Sequence, residues 1–160
     1  MAVRKLSLSE FDAIDYELIA IHTSLENYRL AYFINQKLPI LLSKSSDVVE
    51  FKTTKGIASF SKFSYAVEDT DEEWTLIENK DELLELPTNT FADLFSEKKE
   101  KITTNVYFIP GLKKVNYILK IESAFMKIKE VLAHINSISQ ITTAYVVKVE
   151  NLKSKNNLIF

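Results

Sequence analysis

The sequence predicts an α+β fold: a single domain in which a largely antiparallel sheet carries two main helices on one face. Three observations lead there. Most apolar residues alternate with polar ones over short segments, the period of a half-buried strand. Two longer stretches instead repeat their apolar residues at helical spacing. The chain has 160 residues and is 46% hydrophobic, which suits one core without metal or disulfide support. No low-complexity linker divides it, so residues 1–160 read as one domain, with 153–160 as a C-terminal tail.

The first element is "DYELIAIH", Asp15 to His22, compact and apolar enough for a strand. "TSLENYRLAYFINQKLP" follows. Thr23 and Glu26 stand at capping-box spacing there, and Pro39 favours the end of a helix. Tyr28, Leu30, Ala31, Tyr32, Phe33, Ile34 and Leu38 surround most of that helix, which predicts deep burial with Arg29 and Lys37 at its margins. "DVVEFKT", "IASFSKFSYAVE" and "EWTLIE" then read as successive antiparallel strands. Gly56 suits a turn that needs positive φ, and the acidic run Glu68 to Glu73 suits the next turn.

From Asn79 to Lys101 the pattern is weakest; Pro87 ends a short turn, and "NTFADLFSEKKEK" has the composition of a helix capped near Asn89 or Thr90. "NVYFIP" and "VNYILKIE" read as two strands flanking Pro110-Gly111, with Gly111 placed for the positive φ of a type II turn. In "SAFMKIKEVLAHINSIS", Phe125, Ile128, Leu132 and Ile135 are spaced 3, 4 and 3 apart, and Val131 and Ile138 widen the stripe. That is an amphipathic helix, and "TTAYVVKVE" closes the chain's C-terminal strand–helix–strand half.

Composition excludes whole classes of chemistry. Cysteine is absent, so disulfides, thiolate nucleophiles and cysteine-bound zinc cannot occur. The chain's two glycines, Gly56 and Gly111, cannot spell a P-loop, a dinucleotide-binding turn or a nucleophile elbow. The two histidines, His22 and His134, fall in no metal-binding pattern, so no cofactor is expected. His22 would need Asp15 or Glu26 nearby to act as a base; a boundary histidine with satisfied hydrogen bonds is the plainer reading. The acidic run lacks the glycine and distal glutamate of a calcium loop and reads as a solvated tip, with Trp74 anchoring the strand behind it.

Net charge is −2, and arginine occurs only at Arg4 and Arg29. A near-neutral, arginine-poor chain lacks the field and the planar forks that nucleic-acid binding uses. No apolar run reaches the roughly 20 residues that cross a bilayer. The basic and then acidic N-terminus does not read as a signal peptide, which makes the cytoplasm the expected location.

At "IPGLKKVNY" the chain resembles the bacterial IPExxxVDY family, matching it at Ile109, Pro110, Val115 and Tyr117. The likeness extends to "LENYRLAYFIN", "YILKIE" and the closing "LKSKNNLIF". Gly111 stands where the family name has Glu, and Asn116 where it has Asp. The resemblance implies a small protein of Bacteroidetes-type bacteria and carries over no catalytic residues. Losing both carboxylates would abolish an acid/base pair or metal site, whereas a turn tolerates the change.

Two features are left for recognition. Lys113 and Lys114 sit at the corner, near Tyr107 and Tyr117, and Lys98, Lys99, Lys153 and Lys155 are other basic pairs. Leu158, Ile159 and Phe160 end a polar tail and either fold back or insert into a partner. The expected function is a non-enzymatic protein-binding or adaptor module that uses these residues, with homodimerisation open. The alternatives are a small-ligand regulatory module of ferredoxin-like layout, on fold analogy alone, and an RNA-associated role.

Overall fold

A computed structural model describes residues 15–84 and 103–160. Six strands form one antiparallel sheet in the order β2-β3-β4-β7-β1-β8, and β5 pairs with β6 in a separate two-stranded sheet. The strands are β1 (Tyr16–Thr23), β2 (Ser43–Thr53), β3 (Gly56–Val67), β4 (Glu72–Glu78), β5 (Lys80–Leu84), β6 (Thr103–Tyr107), β7 (Tyr117–Glu122) and β8 (Ile141–Val146). The helices are α1 (Asn27–Lys37) and α2 (Ile128–Asn136). This is the α+β architecture that the periodicities predict.

The four strands β4-β7-β1-β8, with α1 and α2 between them in sequence, have the order of a split β-α-β plait. The β2–β3 hairpin widens it on one side. Strand alternation divides the central residues between two cores. Ile19, Ile21, Trp74, Leu76, Leu119 and Ile121 face both helices, meeting Leu30 and Ile34 of α1 and Val131 and Ile135 of α2. Leu18, Ala20, Phe60, Ile77 and Ile118 face the other way, where Leu83 of β5, Phe108, Ile109 and Leu158 cover them. Because the central strands are covered on both faces, β7 runs through five consecutive buried residues, Tyr117 to Ile121. Burying apolar surface on both sides is the main stabilising term, at about 25 cal/mol per Å².

Several local expectations are corrected. The first helix is capped by Glu26 without a side-chain hydrogen bond, not by a Thr23–Glu26 box. Thr23 remains in β1, where its hydroxyl donates to the Gln140 carbonyl at 2.8 Å and accepts the Leu25 N–H. Nor is α1 buried all round: the sheet covers one side, and Tyr28 and Tyr32 are each 58% exposed. Phe125 lies before α2 and is exposed rather than part of its stripe. Gly56 does take positive φ, at 149°. The expected helix around "NTFADLFSEKKEK", the turn at Pro87 and the chain's N-terminus lie outside the described residues.

Candidate functional site

The corner from Phe108 to Tyr117 is not a hairpin. β6 leaves it paired with β5, while β7 enters the main sheet between β4 and β1. Pro110–Leu112 form one 3-10 turn with Pro110 at its start, where a missing N–H costs nothing. Gly111 therefore does not adopt positive φ, and a Cβ placed on it would meet open space. The segment is a crossing between two sheets, and its apolar side chains are the mortar. Phe108 and Ile109 are fully buried, Val115 and Tyr117 nearly so. Of the four family-like positions, only Pro110 is exposed.

Asn79, just after β4, organises this crossing. Its side chain is fully buried, and the carboxamide uses three hydrogen bonds. Oδ1 accepts the Ile109 N–H at 2.8 Å, and Nδ2 donates to the carbonyls of Leu112 at 2.8 Å and Val115 at 3.0 Å. Its backbone N–H donates to Asn116, and its carbonyl accepts the Phe108 N–H. Asn116 completes the anchoring, because its Oδ1 accepts the Thr23 N–H at 2.9 Å. That bond needs only an acceptor oxygen, which Asp and Asn both supply. Tyr117 turns to the helical side and donates its hydroxyl to the Leu25 carbonyl at 2.7 Å. Burial, reinforced by the charges of Glu78 and Glu26, pushes that phenol well above its usual range.

With Phe108, Ile109, Val115 and Tyr117 committed to the core, the corner leaves Pro110, Lys113 and Lys114 in solvent and Leu112 half-buried. Among the described residues neither lysine belongs to an ion pair. Together with Pro110, Leu112 and Val115 they face Tyr145 of β8 across a shallow cleft of about 360 Å³. Tyr145 is 40% exposed and stacks on His22, ring centroids 5.7 Å apart. The His22 Nε2 lies 3.4 Å from the Tyr145 hydroxyl, so this histidine partners a phenol instead of Asp15 or Glu26. His134 is exposed on α2.

The terminal residues fold onto the sheet face that carries the corner. Asn157 Nδ2 donates to the Phe108 carbonyl at 2.8 Å, and Leu158 is fully buried beneath it. Phe160 packs edge-on against Phe108, with the Lys120 ammonium 4.9 Å and the Lys62 ammonium 5.7 Å from its ring centre. Ile159 projects outward, 79% exposed, and Phe160 keeps one side in solvent at 43%. Lys120 is nearly buried and is held by Glu122 at 2.9 Å and by the Tyr16 ring.

The remaining candidates stay where their chemistry put them. Glu68, Asp69, Asp71 and Glu73 are solvent-exposed around the β3–β4 turn, and Trp74 behind them is fully buried. Among the described residues no group of histidines and carboxylates is arranged to hold a metal ion. Lys153 and Lys155 are exposed, while Lys98 and Lys99 lie outside the described residues. A second cavity, about 280 Å³, opens at the far end of β1 beside Asp15, Glu17 and Ser123. Among the described residues no helix is long and apolar enough to cross a membrane. No family model matches the chain, and neither the curated proteins nor the solved structures contain a significant match.

Proposed function

We propose that this protein is a cytoplasmic, non-enzymatic module that binds a protein partner through the corner bearing Lys113 and Lys114, within the IPExxxVDY family that the sequence resembles. One observation carries the reading: Phe108, Ile109, Val115 and the backbone groups that Asn79 holds are engaged internally, yet the corner's two lysines border an open cleft against Tyr145. A rigid support holds such a site in place, and rim charges beside an aromatic ring steer a complementary partner. Leu158 braces the same face from within, and Ile159 and Phe160 are the tail residues left for contact. The test is co-purification at native expression with wild type and with the Lys113→Glu/Lys114→Glu variant. A partner recovered by wild type and lost with the variant is the expected result. Equal recovery by both rejects the surface.

A second reading has a specific observation behind it. The cleft's volume falls in the lower part of the usual small-ligand range, about 300–1,000 Å³, and it borders the plait strands that regulatory domains of ferredoxin-like layout use. Stabilisation by a metabolite in a thermal-shift screen would favour it.

A further inference from the structure

The lysine-bearing cleft lies where two acid-free stretches of the chain meet. The protein has 22 acidic residues among 160, yet residues 103–121 and 131–149 contain none. The first stretch supplies β6, the corner and most of β7; the second supplies the end of α2 and all of β8. The fold sets them on either side of β1 and brings the corner against Tyr145. An overall negative protein therefore carries two lysines at a cleft formed by acid-free segments, although β6 and Lys120 farther along have carboxylate neighbours in Asp81, Glu82 and Glu122. None of the residues lining the cleft is acidic.

The occupant's chemistry follows from what the cleft offers. Pro110, Leu112, Val115 and the Tyr145 ring provide apolar walls, while Lys113 and Lys114 supply two ammonium groups at the rim. Ammonium groups are compact point charges, suited to single carboxylates, whereas bidentate phosphate recognition favours arginine. Of the chain's two arginines, Arg29 lies on α1, across the sheet, and Arg4 lies outside the described residues. Strand addition along β8 is obstructed. Asn136, the last residue of α2, donates to the Ala144 carbonyl at 3.0 Å and accepts its N–H at 2.9 Å, occupying the open edge as a neighbouring strand would.

We propose that the cleft binds an acidic peptide segment, one apolar or aromatic side chain entering between Leu112 and Tyr145 while flanking Asp or Glu residues pair with Lys113 and Lys114. This rests on the protein-binding reading above and names the chemistry of its partner. The rim contacts are charge–charge and solvent-exposed, so binding weakens as salt is raised.

The experiment selects a phage-displayed random peptide library on the full chain and then measures synthetic winners by fluorescence anisotropy. Wild type, Lys113→Glu/Lys114→Glu and Tyr145→Ala are compared. The expected winners carry an apolar residue flanked by acids and bind the lysine variant about tenfold or more weakly, the loss of charge-assisted contacts. Tyr145→Ala weakens them as well, and replacing their acids by amides reproduces the lysine effect. Winners without acids that still require Tyr145 would overturn the acidic chemistry and leave the protein-binding reading standing. Winners indifferent to all three side chains, or no winners, would overturn the site. Parallel arms contain inorganic phosphate and a single-stranded RNA; lysine-dependent binding of either, with no peptide bound, would overturn both readings. Circular dichroism of each variant confirms that it is folded.

Discussion

The Asn79 carboxamide and the Ile109 amide are joined by a 2.8 Å hydrogen bond inside the protein, across thirty positions of sequence. It ties the end of β4 to the corner, and the same carboxamide holds the Leu112 and Val115 carbonyls. Asn79→Ala strands the Ile109 N–H and the Val115 carbonyl, while the Leu112 carbonyl keeps the Val115 N–H, so stability should fall by roughly 2 kcal/mol or more, at about 1–3 kcal/mol per unmet group. Urea unfolding measures this. A loss below about 1 kcal/mol would mean that water replaces the amide without penalty.

The tail supplies a second comparison. Leu158 is fully buried and Ile159 is exposed. Leu158→Ala should cost about 2–5 kcal/mol, the usual range for a buried leucine, while Ile159→Ala should stay within about 0.5 kcal/mol. Equal, small effects would show that the terminal residues do not dock in solution.

Asn136 predicts an assembly phenotype. Asn136→Ala frees the Ala144 N–H and carbonyl on an uncharged edge strand. The variant should lose about 1–2 kcal/mol of stability and self-associate as its concentration rises. Analytical ultracentrifugation reads the second effect; a variant that sediments like wild type at every concentration would show that Asn136 does not guard the edge.

Much of this fold is legible in the sequence because its signals are local. Alternation marks β2 and β3, compact apolar runs mark β1, β4, β7 and β8, and 3.6-residue spacing marks α2. What fails is what depends on distant partners. "KDELL" has little strand character, and β5 forms only by pairing with β6 far along the chain. Pro110-Gly111 looks like a hairpin turn because composition reports bending, not which strands the bend connects. Tyr28 and Tyr32 fit a buried helix by hydropathy, yet a sheet covers only one side of α1. Asn79 carries no signal at all: its partners lie about thirty residues away. Lys113 and Lys114 are identifiable as exposed corner residues, but the ring they face, Tyr145, emerges only from topology.

Ionisation of Tyr117 predicts an alkaline limit. Its folded-state value is raised from 10.0, chiefly by burial and then by Glu78 and Glu26. Above about pH 10 the unfolded state loses this proton first, so stability falls as pH rises. Tyr16 is shifted the same way by burial and by Glu122, so Tyr117→Phe should flatten the decline without abolishing it. The urea midpoint between about pH 9 and pH 11 gives the slope; identical slopes in wild type and Tyr117→Phe would contradict the assignment.

The most direct test of a rigid scaffold with one cationic recognition cleft is amide chemical-shift mapping during titration with an acid-flanked aromatic peptide. Saturable shifts centred on Leu112, Lys113, Lys114 and Tyr145 are expected, with the far cavity beside Asp15 and Ser123 unchanged. Shifts centred on that far cavity or on the outer face of α1, with the corner silent, would contradict the proposed cleft.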